Sequence, residues 1–182
     1  IEALVANGIK KLIIVVGYKS NVLVDFISSK FNQSNLNGME IQYIENTVYD
    51  KTNNIYSLYL ACNELVKDDT ILLESDLIFD KNIIKSLIES KEQNLAVVSH
   101  FESWMDGTCT LLDENNNITG ILDKSTFKWN ETENYYKTVN IYKFSSEFSK
   151  KYYVPFLEAY QKAFGKNEYY EQVLKVLSFL SS

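Results

Sequence analysis

The chain has 182 residues, of which 46% are apolar and 23% charged, a composition typical of one globular domain and unlike that of a disordered chain. Its net charge is −6, and all 18 basic residues are lysines without an extended basic cluster, which disfavours binding to nucleic acid. No apolar run approaches the roughly 20 residues of a membrane span, so we expect no membrane segment.

The absence of arginine also limits phosphate recognition. A bidentate guanidinium grip is not available, so any phosphate must be held by lysines, backbone amides or a metal. The sequence shows no secretory signal, and we expect a cytoplasmic protein with Cys62 and Cys109 as reduced, buried thiols rather than a disulfide.

The first half of the chain alternates predicted helices and strands. Residues 1–8 are typical of the end of a helix, with Asn7-Gly8 as its C-cap, and we expect the chain to be a piece of a longer protein. A buried strand is predicted over 12–16. A helix is predicted over about 20–30, with Ser20 as N-cap and with Val22, Phe26 and Ile27 facing inward. A further strand is predicted over 40–45.

The central stretch, residues 53–80, contains a helix and a buried strand. Apolar residues recur at helical spacing at Ile55, Tyr59, Cys62 and Leu65. The continuous apolar run 70–73 indicates a strand covered on both faces. Asp76 and Asp80 follow the carboxyl end of this strand, where open α/β sheets bind their ligands.

The second half changes character at about residue 100. Asp80 is predicted to cap a helix over 81–90, and a buried strand follows over 95–99, so that strands and helices alternate as in a mostly parallel sheet. A hairpin is then predicted over 108–122 and a polar, mobile loop over 123–135. A strand over 136–144 precedes a helical region that Ser145 or Ser146 caps, that Pro155 interrupts or restarts and that Gly165 breaks. The last helix is predicted over 168–180.

Two segments carry a resemblance to a known family. The run from Asn53 to Ala61, and the Leu-Leu-Glu-Ser-Asp run that ends at Asp76, resemble bacterial phosphocholine cytidylyltransferases and the related enzymes that make CDP-aminoethylphosphonate. These belong to the larger sugar-nucleotidyltransferase family. The resemblance covers nearly the whole chain. It implies a single α/β nucleotidyltransferase-like domain over 1–182, with a mostly parallel Rossmann-like sheet flanked by helices and a β-rich substrate lobe.

The resemblance also implies a reaction. CMP passes from CTP to phosphocholine or a similar phosphorylated amino alcohol or phosphonate, and pyrophosphate is released. Two family segments are not found in this sequence: a Gly-rich loop that wraps the triphosphate and a second acidic segment near the C-terminus. We therefore expect the 182-residue piece to bind CTP weakly and to be inactive by itself.

Asp76 matches the family position that holds the catalytic Mg²⁺. One strand-end carboxylate is a sensible anchor, since Mg²⁺ takes one or two carboxylates and completes its shell with phosphates and waters. The pattern alone favours an aspartate that caps a turn, and the resemblance is what favours a metal ligand.

Two lysines lie in segments that resemble the family, and that of Lys124 is similar to the element that faces the acceptor phosphate. Lys124 ends the segment 121–124, and Lys137 opens the segment 137–142. Their ammonium groups would neutralise charge on the attacked phosphorus and on the leaving pyrophosphate. The alternative is that both are solvated surface lysines.

A third group matches family segments that build the pocket for a choline-type group. It consists of Trp104, Asp106, Tyr169, Tyr170 and Glu171. A quaternary ammonium binds over aromatic faces, and a nearby carboxylate adds Coulomb attraction. In a chain this rich in tyrosine and phenylalanine, any single ring is otherwise a core residue.

Asn53, Asn54 and Ser57 lie at the start of the central helix and are candidates for nucleotide binding, or else ordinary capping residues. His100 is interpreted as a strand-end residue, because no serine or cysteine motif surrounds it. Two competing functions remain: a sugar-phosphate nucleotidyltransferase, and a non-catalytic ligand-binding module on the same fold. A homo-oligomer is compatible with each of these functions.

Overall fold

A computed structural model describes residues 1–180, which form helices on both sides of two β-sheets. The strands are β1 Lys11–Val16, β2 Glu40–Glu45, β3 Thr70–Leu73, β4 Leu95–His100, β5 Cys109–Leu112, β6 Ile118–Leu122 and β7 Tyr136–Phe144. The helices are α1 Glu2–Ala6, α2 Ser20–Lys30, α3 Asn54–Leu60, α4 Cys62–Leu65, α5 Lys81–Glu89, α6 Ser146–Phe148, α7 Val154–Phe164 and α8 Glu171–Leu180. None of the helices within 1–180 has the length and apolarity that a bilayer crossing requires.

The larger sheet is built around β7. Lys143 pairs with both Ile71 of β3 and Leu95 of β4, and Lys137 pairs with both Ser99 of β4 and Cys109 of β5. Since a strand residue has one neighbour on each side, β4 lies along one edge of β7, while β3 and β5 lie along the other. β6 pairs with β5 and completes the sheet.

The α/β class is confirmed, but the expectation of a mostly parallel sheet is wrong for the strand pairs that form. Within residues 1–180, only β1 and β2 pair in parallel, and every pair in the larger sheet is antiparallel. The physical reason is the position of β7. The crossover from β3 through α5 to β4 leaves these two strands running in the same direction, and β7 inserts between them in the opposite direction.

Apolar side chains cover both faces of the strands. On one face, Leu4, Met39 and Ile84 are buried against Leu12 of β1 and Ile71 and Leu73 of β3. On the other face the core is larger, and Leu72 of β3 packs against it. Its buried residues come from α3, α4, β7, the helical region 149–164 and residues 170–173, namely Ile55, Leu58, Leu65, Tyr142, Phe144, Tyr153, Leu157, Tyr170 and Val173.

Local signals predicted several elements correctly. Asp80 caps α5 through an N–H donated by Asn82 at 2.8 Å, and Ser145 caps α6 through an N–H donated by Phe148 at 3.2 Å. The predicted hairpin is β5–β6, and His100 ends β4. Pro155 lies in the first turn of α7, directly after a π-helical turn, Ser149–Tyr153. Both cysteines are free thiols; Cys109 is buried and Cys62 partly buried.

Other predictions need correction. The N-cap of α2 is Lys19, in the left-handed region, and not Ser20. Of the three α2 side chains predicted to face inward, Ile27 is buried, whereas Val22 and Phe26 are 64% and 58% exposed. Periodicity identifies an apolar face without showing what covers it, and residues 1–180 leave most of this face uncovered. The central helix breaks at Ala61 into α3 and α4.

Two further boundaries differ from expectation. The last helix begins at Glu171 rather than residue 168. The loop 123–135 contains a 3-10 turn, Trp129–Asn134, and an aromatic cluster in which Phe127 packs on Phe101, Trp129 and Tyr135 at centroid distances of 5.2, 5.1 and 5.1 Å. The polar composition of the loop did not predict these aromatic contacts.

Candidate active site

The ends of β1 and β3 meet at the first turn of α3. The Asn46 N–H donates to the carbonyl of Val16 at the end of β1 at 2.7 Å, and its side-chain amide lies 3.3 Å from Ser57 Oγ. The Asn54 amide donates to Glu74 Oε1, directly after β3, at 3.2 Å. The three candidate residues of α3 therefore lie where the two strands end.

Each candidate residue of α3 also has a structural partner. Asn53 is the N-cap and accepts the Asn54 N–H at 2.8 Å. The Asn54 side chain additionally accepts the Tyr170 N–H at 2.9 Å, so it ties α3 to the start of α8. Both asparagines therefore have structural roles at the start of α3.

Glu74 and Asn140 form a polar pair that the sequence patterns did not single out. Glu74 Oε2 accepts from the Asn140 side-chain amide at 2.9 Å. Asn140 lies within β7 at a φ of +56°, a left-handed conformation that asparagine tolerates better than most residues. A polar residue in the middle of an alternating strand was the only available signal. Both carboxylate oxygens of Glu74 thus accept hydrogen bonds, from Asn54 and Asn140, and Glu74 links α3 to β7.

Glu171 is a buried carboxylate beside this pair, with 7% of its surface exposed. Burial raises the pKa of its carboxyl, and the negative charge of Glu74 raises it further. Hydrogen bonds with its own backbone N–H and with Asn54, and the positive charge of Lys137, lower the pKa. Oε2 of Glu171 has no hydrogen-bond partner among residues 1–180. Glu171 Oε2 can therefore accept a hydrogen bond from a ligand.

The neighbouring tyrosines lie in different environments. Tyr169 is 55% exposed, whereas Tyr170 is buried and packs edge-on against Tyr142 at a centroid distance of 6.1 Å. Burial raises the pKa of both Tyr142 and Tyr170, and neither hydroxyl finds a partner within the described residues. Tyr170 is thus a wall of the core that borders Glu171, and Tyr169 faces solvent.

The two candidate lysines meet around Asp106. Lys124 Nζ lies 3.5 Å from Asp106 Oδ2 in an exposed ion pair. The Gly107 N–H, which donates to Asp106 Oδ1 at 2.8 Å, lowers the pKa of this carboxyl most, and the charges of Lys124 and Lys137 lower it further. Lys137 extends from β7, and its ammonium donates to the carbonyl of Thr138. Three candidates from separate elements are therefore brought together.

Gly107 makes room for Lys137. Its φ of +104° favours glycine, and a Cβ atom at this position would lie 3.1 Å from Lys137 Cε and 3.2 Å from Nζ. We therefore expect Gly107→Ala to destabilise the fold by about 1 kcal/mol and also to displace the Lys137 ammonium. Gly165→Ala is the matched control, because Gly165 has a φ of +94° with nothing within 4 Å.

Urea denaturation of both alanine variants should give similar losses of stability. In the complete protein, only Gly107→Ala should also lower turnover. Equal activities would show that the position of Lys137 does not matter to the reaction.

Trp104 and Asp76 are also exposed candidates. Trp104 is 74% exposed, and its indole N–H donates to Glu102 Oε2 at 2.8 Å. No ring contact joins it to Tyr169 or Tyr170 within the part of the chain that the structure describes. Asp76 lies in the turn after β3 with its carboxylate exposed.

The carboxylates at the end of β3 offer few ligands for Mg²⁺. Residues 1–180 contain no cluster of three or more histidine, cysteine or acidic side chains suited to a metal. Asp76 is nevertheless an exposed carboxylate at the end of β3, and Glu74 on the same segment is occupied by two asparagines. A single carboxylate fits Mg²⁺ that is otherwise held by phosphates and waters.

Two curated relatives align with most of the chain. CMP-5'-(3-aminopropyl)phosphonate synthase of Streptomyces rubellomurinus is 24% identical over 165 residues, which cover 90% of this chain and 25% of that protein. CTP:phosphoglutamine cytidylyltransferase of Campylobacter jejuni is 28% identical over 163 residues, which cover 81% of this chain and 60% of that protein. The chain thus spans between a quarter and three fifths of these relatives.

Solved structures share the fold. UDP-glucose pyrophosphorylase in complex with UDP-glucose superposes with a TM-score of 0.68 at 8% identity, over 98% of this chain and 74% of that one. CTP:phosphocholine cytidylyltransferase of Streptococcus pneumoniae gives a TM-score of 0.57 at 20% identity, over 96% of this chain and 68% of that one. The nucleotidyltransferase fold is therefore confirmed.

The sequence model of one protein family, described as Domain of unknown function (DUF6564), matches residues 3–172. This match contains β1 to β7 and every candidate residue of the site. The chain belongs to the DUF6564 family.

Proposed function

We propose that this chain belongs to a cytidylyltransferase that transfers CMP from CTP to a small acceptor bearing a phosphoryl or phosphonyl group and an amine, with phosphocholine as one candidate. The observation that carries the proposal is that two relatives aligned with over 80% of the chain are both named for cytidylyl products or transfer. Their named acceptors, aminopropylphosphonate and phosphoglutamine, differ.

The reaction requires little covalent chemistry from the protein. An acceptor oxygen attacks the α-phosphorus of CTP, the new P–O bond forms, and the bond to the bridging oxygen breaks to release pyrophosphate. Lys137 and Lys124 are assigned to the neutralisation of charge on the phosphates, since they converge beside Asp106 at the edge of the site. Asn53, Asn54 and Ser57 are assigned to positioning the nucleotide.

Asp76 is assigned to Mg²⁺, which when bound would offset negative charge on the phosphates. The remaining carboxylates and rings are assigned to the acceptor. Glu171 and Asp106 would attract its amine, Trp104 and Tyr169 offer exposed aromatic faces, and Tyr170 supports Glu171 from the core. A cytoplasmic location follows from the use of CTP and remains part of the proposal.

Titration calorimetry on the complete protein, with CTP, phosphocholine and glucose 1-phosphate as ligands, tests the proposal. Binding of CTP and of the amine-bearing acceptor, with pyrophosphate released when both are present with Mg²⁺, supports it. Preferential binding of glucose 1-phosphate would instead indicate a sugar-phosphate nucleotidyltransferase. Binding without pyrophosphate release would indicate a non-catalytic module.

Trp104 gives a sharper test of acceptor recognition. We expect Trp104→Ala to weaken binding of a trimethylammonium acceptor by about 1–2 kcal/mol, the range of a desolvated cation–π contact, and to leave CTP affinity nearly unchanged. Trp129→Ala is the matched control, because Trp129 is also a loop tryptophan and is 69% exposed. Equal losses for CTP and the acceptor, measured by the same titrations, would mean that Trp104 is structural.

A further inference from the structure

α8 carries a lysine whose ion pair is partly buried. The Lys175 ammonium lies 2.5 Å from Asp123 Oδ2, and the Lys175 side chain is 18% exposed. The lysines of the other ion pairs within residues 1–180 have side chains that are 37–84% exposed. Because water and salt screen exposed pairs, the pair between Lys175 and Asp123 is the one best suited to hold a loop in place.

Asp123, the partner of Lys175, begins a tight turn after β6. Its Oδ1 accepts the Ser125 N–H at 2.9 Å, and its carbonyl accepts the Thr126 and Phe127 N–H groups at 3.1 and 3.0 Å. These hydrogen bonds close the turn on itself, whereas the bond from Lys175 attaches the turn to α8. The Lys175 ammonium, more than Ser125, holds the pKa of the Asp123 carboxyl well below its usual range, so Asp123 is ionised at neutral pH.

The turn carries Lys124, whose own ion pair is exposed. The Lys124 ammonium lies 3.5 Å from Asp106 Oδ2, and the two side chains are 84% and 82% exposed. An ion pair with this exposure holds its side chains weakly. The position of Lys124 therefore depends on the backbone of the turn, and hence on what holds Asp123.

α8 joins this turn to another part of the candidate site. Glu171 begins α8 and lies one helical turn before Lys175, so the two residues share a face of the helix. The charge of Lys137 acts on both Glu171 and Asp106, which shows that these groups are neighbours. The helix that contributes Glu171 to the site therefore also holds the turn that contributes Lys124.

We propose that Lys175 is a positioning residue, which through Asp123 fixes the turn that places Lys124 beside the phosphates of the substrates. The inference rests on the proposed function, which assigns Lys124 to the neutralisation of phosphate charge. Lys175 needs no contact with a substrate, because its ammonium donates to Asp123. A substitution of Lys175 should therefore affect turnover only as far as it displaces Lys124.

A double-mutant cycle in the complete protein tests this dependence. Pyrophosphate release is measured with saturating CTP, Mg²⁺ and whichever of phosphocholine and 3-aminopropylphosphonate the wild type uses faster. We expect Lys124→Ala and Lys175→Met each to lower kcat/KM for the acceptor about tenfold or more, because a displaced charge-stabilising group loses most of its effect. The double variant should be no slower than Lys124→Ala, to within about twofold. Losses that multiply in the double variant would overturn the inference.

Three further variants identify the contact that is responsible. Lys175→Arg keeps a charged donor and should retain most of the turnover. Asp123→Asn keeps an oxygen for the Ser125 N–H but loses the charge, so it should match Lys175→Met. Lys128→Met is the matched control, because it breaks an exposed ion pair with Glu131 in the same loop, and it should leave turnover unchanged. Normal turnover of Asp123→Asn would overturn the inference, since Lys175 would then act through another contact.

NMR provides a measurement that does not depend on catalysis. We expect the heteronuclear NOE of the Lys124 backbone amide to fall in Lys175→Met and to keep its wild-type value in Lys128→Met. An unchanged NOE in Lys175→Met, in a protein whose wild type is active, would overturn this inference alone. A wild type that binds both substrates without releasing pyrophosphate would overturn the proposed function and this inference with it.

Discussion

Replacement of Asp76 by asparagine is expected to abolish cytidylyl transfer in the complete protein while leaving its fold intact. The side chain is exposed in the turn after β3, and asparagine is nearly isosteric with aspartate, so no packing is lost. Loss of the charge removes the anchor assigned to Mg²⁺, and metal stabilisation of phosphate charge is worth several kcal/mol. We therefore expect turnover to fall about a thousandfold or more, as measured by pyrophosphate release.

Asp80→Asn is the matched control for this variant. Asp80 lies four residues further along the same segment, but its carboxylate caps α5 through the Asn82 N–H at 2.8 Å. Asparagine is as good an N-cap as aspartate, so this variant should keep both its stability and its activity. Near-normal turnover of Asp76→Asn would remove Asp76 from the site, and parallel losses in both variants would indicate a general effect of charge.

The elements that sequence patterns predicted well are those fixed by neighbours in the chain. α5 is an example, since Asp80 caps it and Ile84 and Leu87 are buried one turn apart. The β5–β6 hairpin is another, because Asp113 accepts N–H groups from Asn115 and Asn117 at 2.9 and 2.7 Å and closes its own turn. In both cases the decisive contacts lie within four residues.

Long-range pairing could not be read from local patterns. The alternation of helices and strands correctly indicates that β3 and β4 are parallel to each other, yet nothing in it places β7 between them. The same limit applies to the polar floor of the site. Glu74 and Asn140 are hydrogen-bonded at 2.9 Å but lie 66 residues apart in sequence. Local patterns around either residue therefore do not predict that the two are in contact.

The structure brings some of the candidate residues together and separates others. Lys124, Lys137 and Asp106 were each proposed from separate segments, and the structure brings them together at one edge of the site. Tyr169 and Tyr170 were proposed as a pair, but adjacent residues at the start of a helix point in different directions, so one is exposed and the other buried. Adjacency in sequence therefore did not predict that the two side chains have different exposure.

Glu171→Gln is expected to stabilise the fold at neutral pH and to impair acceptor binding. The folded protein raises the pKa of Glu171, so the folded state holds this proton more tightly than the unfolded chain does. Stability is consequently lost as pH rises from the unfolded pKa of about 4.3 through the folded value. Glutamine cannot ionise beside Glu74, so the variant should gain stability relative to wild type as pH rises, most clearly above the folded pKa.

The same substitution removes a negative charge that the proposal assigns to the amine of the acceptor. Loss of a buried, charged partner costs about 2 kcal/mol or more, so we expect acceptor affinity to fall roughly thirtyfold. Affinity for CTP should change little. Urea denaturation at pH 4.5, 6 and 8 measures the stability, and titration calorimetry measures the two affinities.

Glu114→Gln provides the matched control, because it makes the same chemical change at an exposed position in the β5–β6 turn. It should alter neither the pH dependence of stability nor acceptor binding. A Glu171→Gln protein that is more stable at pH 8 and still binds the acceptor normally would assign Glu171 to the core alone. A protein that loses stability and both affinities together would mean that the carboxylate holds α8 against α3. Only a gain in stability together with a selective loss of acceptor affinity places the acceptor's amine beside Glu171. A purely structural carboxylate would not lower acceptor affinity when its replacement raises stability.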